Sequence, residues 1–200
     1  MIDPLLPPYE GIALADIHLI ESPEAAAAAS AALLAADAIG FDTESKPTFT
    51  KGEVSTGPHL IQLATDNQVY LFPVRYLPGL DGLKAVLESE TILKVGFGLE
   101  SDIARLRSKL GIELRNVFDL AKALRRDGQK NMIGAKGAVA HYFGQRLQKS
   151  KKASTSNWAN PQLTERQMIY AADDAQVALR VFRVAGIAVG LPDKPVVNSP

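Results

Sequence analysis

The sequence predicts an α/β fold: a mixed β-sheet, part antiparallel meander and part parallel, flanked by α-helices. Three observations predict it. Three short apolar runs, AIGFDTESKP, HLIQLAT and QVYLFPV, follow one another between residues 38 and 74 with turn-forming residues between them. After residue 77 the pattern switches to helical spacing alternating with short buried runs, as in β-α-β units. The 46% hydrophobic and 22% charged residues are enough apolar and polar surface for a real core under a solvated exterior.

The elements follow in order. IALADIHLI (12–20) has the apolar content of a strand. SPEAAAAASAALLAADA (22–38) reads as a helix with Ser22 as N-cap and Pro23 at the first helical position; its alanines, with Leu33 and Leu34, suit close packing on a sheet. The three strands of the meander come next, the last two joined through Asp66 and Asn67. LPGLDGLKAVLESE (77–90) is helical in its later part, and ILKVGFG (92–98) is a buried strand. ESDIARLRSKLG (100–111) places Ile103, Leu106 and Leu110 at helical spacing, with Gly111 as the stop. NVFDLAKAL is a short strand running into a helix, GAKGAVAHYFG another helix, and LTERQMIYAADDAQVALRVFRVAGIAVG a long one capped by Thr164. We expect one domain over residues 1–190, with a fraying polar tail LPDKPVVNSP at 191–200.

Composition narrows the function. Lysine and arginine total 22, aspartate and glutamate also 22, so bulk charge does not announce a nucleic-acid binder and any attraction for phosphates must be local. Without cysteine there is no disulfide, thiolate metal site or cysteine nucleophile. No segment approaches the roughly 18 consecutive apolar residues of a membrane span, and MIDPLLPPYE lacks the basic start of a signal peptide, so a soluble, cytoplasmic protein is expected.

The chemistry-bearing pattern is a set of acids. Asp42 and Glu44 stand two apart at the end of a strand, so both carboxylates face one side while Phe41 and Thr43 face the other. Two negative charges that close repel, and they sit in open water or share a cation. Asp102 falls in the first turn of the helix after ILKVGFG. Tyr170 and Asp174 are four apart on the last helix and share a face; Asp173, three from Tyr170, also lies near that face, and spacing alone does not separate the two aspartates. Each has an ordinary reading: strand-end acids are solvated, a first-turn aspartate serves the helix dipole, and a tyrosine at helical spacing is core.

As a set, in this order, FDTE, GLESDIARL and YAADDA resemble the three motifs of the DnaQ-like 3′-5′ exonucleases in their tyrosine (DEDDy) branch, the RNase D and Werner-syndrome exonuclease group. The histidine branch would want His at position 169, where Ile169 stands. LIQLAT, VYLFPV, NVFDL and STSNWANPQLTERQMIYAADDA extend the resemblance over about residues 38–183. Nothing in the chain resembles an attached helicase or the helical nucleic-acid-binding modules of RNase D.

The resemblance implies an RNase H-like fold and hydrolysis of DNA or RNA from a single-stranded 3′ end, releasing nucleoside 5′-monophosphates. It implies two divalent ions, Mg²⁺ or Mn²⁺, roughly 4 Å apart. Asp42 would bridge them, Glu44 and Asp174 complete the first site, Asp102 hold the second, and Tyr170 orient the attacking water. Thr43, Lys46, Lys51 and Leu99 are the candidate substrate contacts. Lys46 and Lys51 lie in SKPTFTKGEVSTG and further cations in RLQKSKK, although a loop rich in glycine and lysine is as readily a solvated connection. Trp158 is read as packing the SNW loop on the last helix rather than stacking a base, and His18, His59 and His141 form no ligand spacing. Two rivals keep the same fold: an RNase H-like endonuclease, and a catalytically weak nucleic-acid-binding protein.

Overall fold

Six strands form one mixed sheet in the order β1-β4-β3-β2-β5-β6, in a computed structural model that describes residues 5–50, 52–76, 80–124 and 133–187. The strands are β1 (Ile17–Leu19), β2 (Ala38–Glu44), β3 (Leu60–Ala64), β4 (Val69–Pro73), β5 (Leu93–Gly96) and β6 (Val117–Asp119). β2, β3 and β4 pair antiparallel as the expected meander; β5 and β6 add in parallel beyond β2, and β1 lies parallel to β4 at the opposite edge. The helices are α1 (Pro23–Leu34), α2 (Leu80–Glu88), α3 (Glu100–Arg105), α4 (Leu120–Ala123), α5 (Ala135–Phe143), α6 (Lys151–Ser154) and α7 (Glu165–Ala185).

Residue parity along β2 sorts the core into two layers. Ile39 and Phe41 point to the side of α1, α2 and α3, where they pack with Leu33, Val86, Leu87 and Leu106. Ala38 joins the other layer with Val177, Leu179 and Phe182 of α7 and Ala138 and Val139 of α5. α7 crosses β2 very closely. A Cβ built on Gly40 would lie 2.0 Å from the carbonyl oxygen of Ala175, so only glycine permits this approach. Asp42 and Glu44, of the same parity as Gly40, are therefore carried to the α7 side.

Local signals set the helix ends. Ser22 accepts from the Ala25 amide at 3.2 Å, and Thr164 forms a capping box with Gln167 at the start of α7. The structure departs from expectation at four ends. The first strand is short, because residues 14–16 form a 3₁₀ turn ahead of Ile17. α1 stops at Leu34 rather than running to 38: the Asp37 carbonyl accepts from Leu93 at 2.9 Å and Ala38 already belongs to β2. α3 turns into one π-helical turn (Leu106–Leu110) before Gly111 ends it at φ 64°. α7 ends at Ala185, because Gly186 adopts φ 60° and leaves the helix. The proposed tail at 191–200 lies outside the described residues.

Candidate active site

The end of β2 is where the elements converge. β5 pairs with β2 only as far as Gly40 opposite Val95; the chain then turns through Gly98, at φ 69°, into α3. That turn is clamped from β6. The Asp119 carboxylate accepts from the amides of Gly98 at 2.9 Å, Leu99 at 3.3 Å and Ala121 at 3.0 Å, tying the start of α3 to the start of α4. Asp102, in the first turn of α3, is thereby held beside the strand end, and the buried Thr43 hydroxyl donates to its carboxylate.

From the other side α7 brings Asp174 and Tyr170. Asp174 turns toward the β2 acids, whereas Asp173, about 100° further round the helix, turns away and accepts from the Ile12 amide at 3.1 Å. The geometry thus separates the two aspartates that spacing left ambiguous. Tyr170 lies against Asp174, with its ring 6.1 Å from that of the buried Trp158, which fills the core under α7 as expected of the SNW loop.

Electrostatics shows how crowded the cluster is. Burial first, then the charges of Asp174 and Asp102, push the Asp42 carboxyl well above the ordinary range. Burial and the charges of Asp42 and Asp174 push Glu44 up to about 9. Asp102 is raised by burial, partly opposed by Thr43 and by Arg105, whose guanidinium is 3.4 Å away. Asp174 is raised by burial and pulled back by Lys149, whose ammonium lies 2.6 Å from it and 5.8 Å from the centre of the Tyr170 ring. Lys149 is itself pulled down by burial, but Asp174, then Asp42 and Glu44, outweigh that, and its pKa is raised.

This donor set fits divalent cations by its chemistry. It is all hard oxygen, when ionised it carries more negative charge than one lysine and one arginine neutralise, and the raised carboxyls would ionise once a cation arrived. It is not a finished cage: among the described residues no three acidic or histidine side chains converge in ligating geometry. Asp174 is drawn to Lys149 and Asp102 to Thr43, so Lys149 occupies the position of the positive charge the acids require.

The remaining sequence expectations fall as follows. Lys46 is exposed, and its amide donates to His59 Nδ1 at 3.1 Å, which gives that histidine a loop-bracing role. Leu99 is buried in the core against Gly96. Lys51 lies outside the described residues. Sequence reasoning missed Asp119, whose signal is an aspartate at a strand end directly before a helix, and singled out Lys149 only as part of a basic run.

The chain belongs to the 3′-5′ exonuclease family, whose model matches residues 17–184. It is 31% identical over 152 residues to the mouse bifunctional 3′-5′ exonuclease/ATP-dependent helicase WRN, covering 75% of this chain and 11% of that protein. Among solved structures it matches the EXO domain of Aedes aegypti Nibbler with TM-score 0.74 and 25% identity, covering 88% of this chain and 90% of that one. Escherichia coli RNase D matches with TM-score 0.74 and 28% identity over 84% of this chain and 43% of that one. The shared architecture is the RNase H-like fold. The chain thus spans about a tenth of the length of its mouse relative.

Proposed function

We propose that this chain hydrolyses the terminal phosphodiester bond at the 3′ end of a DNA or RNA strand, releasing nucleoside 5′-monophosphates. The observation that carries the reading is the clustering of four carboxylates from β2, α3 and α7, with Asp42, Glu44 and Asp174 facing one lysine, on the fold of an exonuclease family. Asp42, Glu44, Asp102 and Asp174 would hold two divalent ions, Mg²⁺ or Mn²⁺, with Asp42 shared, Glu44 and Asp174 on one ion and Asp102 on the other. Such ions supply charge that stabilises the phosphate and the departing 3′ oxygen.

The protein groups do the positioning. Burial, then the charges of Asp174, Glu44 and Asp42, raise the Tyr170 phenol above its ordinary value, so it keeps its proton and is no general base. It holds the attacking water through hydrogen bonding while its position is fixed by Asp174 and the packing of Trp158. The water attacks phosphorus and yields a proton to solvent, the bond to the 3′ oxygen breaks with that oxygen taking up a proton from solvent, and the phosphate leaves on the released nucleotide. Thr43 steadies Asp102 from the far face of β2. Lys149, now on Asp174 at 2.6 Å, would be freed by cations held on the acids, and its charge would then be available to the substrate phosphate. We place this action in the cytoplasm, in one domain over residues 1–190. Among the described residues no helix is long and apolar enough to cross a membrane.

The test is a 5′-end-labelled oligonucleotide, DNA and RNA in parallel, with Mn²⁺ or Mg²⁺. A ladder shortening from the 3′ end is expected. Internal cuts would replace this reading with an endonuclease, and binding without cleavage would replace it with a binding protein.

A further inference from the structure

Beside the acids a groove of about 980 Å³ opens from Lys149 and Tyr170 and runs along one face of α7. Arg166, Ile169, Tyr170 and Asp173 line it at helical spacings of three, four and seven. Its other walls are the stretch 146–150, the first turn of α5 with Lys136, and the amino-terminal segment from Tyr9 to Ile12. That segment is fixed in place. The Arg146 amide donates to the Pro7 carbonyl at 2.7 Å, the Tyr9 amide to the Arg146 carbonyl at 3.1 Å, and the Arg180 guanidinium to the Tyr9 hydroxyl at 2.8 Å.

The charges in this groove are lopsided although the chain as a whole has net charge zero. Lys136, Arg146, Lys149 and Arg166 face it against two acids, Glu165 and Asp173, and Asp173 is committed to the Ile12 amide. Lys136, Arg146 and Arg166 are exposed, and among the described residues no carboxylate forms an ion pair with any of them. Exposed cations scattered singly are ordinarily just solvated. These three converge on one groove that is continuous with a site for phosphodiester hydrolysis, and Ile169, 38% exposed, adds an apolar surface between them.

We propose that this groove binds the strand on the 5′ side of the scissile bond, with Arg146, Arg166 and Lys136 taking successive phosphates beyond the one at Lys149. The inference rests on the exonuclease reading of the adjacent site. The spread of the cations favours a strand over the released mononucleotide: Lys136, Arg146 and Arg166 come from three separate segments around a groove whose volume is at the top of the range that encloses a single small ligand. Arg166 lies four residues from Tyr170 on α7, about 6 Å along the axis, so a phosphate held there is distinct from the scissile one. Cations on the phosphates and an apolar floor under the bases give sequence-tolerant single-strand binding.

The test compares the parent with the triple variant Lys136→Ala/Arg146→Ala/Arg166→Ala. Binding of a fluorescent 12-mer, single-stranded and as a duplex, is measured across a salt series with Ca²⁺ in place of the catalytic ion, and hydrolysis of the single-stranded 12-mer and of a dinucleotide with Mn²⁺. Three lost phosphate contacts should lower the slope of log affinity against log salt by about 2. The loss of kcat/KM on the 12-mer should exceed the loss on the dinucleotide at least tenfold. An unchanged salt slope, or equal losses on both substrates, would overturn the proposal. A loss seen only on duplexes, with single strands bound as before, would overturn it in favour of a complementary-strand site. If the parent binds the 12-mer with a salt slope that the variant loses, yet cleaves nothing, the groove stands and the exonuclease reading fails.

Discussion

Glu44→Gln in metal-free protein tests the crowding of the acids directly. The Glu44 carboxyl, ordinarily at 4.5, is pushed up to about 9 by burial and by Asp42 and Asp174. Between those values the folded chain keeps a proton that the unfolded chain has released, so stability is full below about 4.5 and falls as pH rises toward about 9. At about 1.4 kcal/mol per pH unit the whole window would amount to about 6 kcal/mol. Glu44 is only half-buried and shares its repulsion with two neighbours, so we retain about 1–2 kcal/mol between pH 6 and 8.5, equivalent to roughly 3–6 °C in Tm for a chain of this size. Asp37, held at about 2 by Arg183, stays ionised throughout this range and does not contribute to the slope. Thermal melts in EDTA should therefore show Tm falling with pH for the parent, a shallower fall for Glu44→Gln, and a higher Tm for the variant at pH 8.5. Saturating Mg²⁺ should flatten the parent's profile. A parent profile that is flat in EDTA, or a Glu44→Gln protein that melts lower than the parent at pH 8.5, would show that Glu44 is not held protonated by its neighbours.

Further outcomes follow from the same geometry. Asp174→Asn should remove hydrolysis, whereas Asp173→Asn should keep most of it, since an asparagine oxygen can still accept from the Ile12 amide; equal losses in an oligonucleotide assay would mean that the helix face is misassigned. Tyr170→Phe keeps the ring on Trp158 and loses the hydroxyl, so kcat should fall roughly 10²-fold with little change in KM, and an unimpaired kcat would make the tyrosine a packing residue. Asp119→Ala unties the Gly98 and Leu99 amides and lets Asp102 drift; we expect about 1–3 kcal/mol lower stability and at least a tenfold lower kcat. Activity that tracked only the fraction folded would remove its positioning role.

Much of the fold is written in short-range patterns. The meander shows as three apolar runs separated by turn residues, and α7 as a capping box followed by helical periodicity. The strand-end acids were legible because period-two parity places Asp42 and Glu44 on one side whatever the tertiary contacts. What escaped depends on packing between distant segments. The parallel pairing of β1 with β4 joins residues some fifty positions apart, and nothing in IHL announces its partner. Lys149 reads as one cation in a basic run, and only the folding of that run against α7 sets it on Asp174. Asp119 looks like an ordinary helix N-cap, and its second task, holding the turn before Asp102, exists only once β5 and β6 lie side by side. The choice between Asp173 and Asp174 needed to know which face of α7 meets β2, and the close approach at Gly40 decides that.

The most direct measurement is a Mn²⁺ titration at pH 7.5, followed by electron paramagnetic resonance, on the parent and on Asp42→Asn. About two bound ions per parent chain are expected, with tight binding abolished in Asp42→Asn at unchanged circular dichroism, and tighter binding in Lys149→Met, where no ammonium competes for Asp174. A parent that binds no Mn²⁺, or an Asp42→Asn protein that binds it as the parent does, would contradict the claim that these four carboxylates are a cation site.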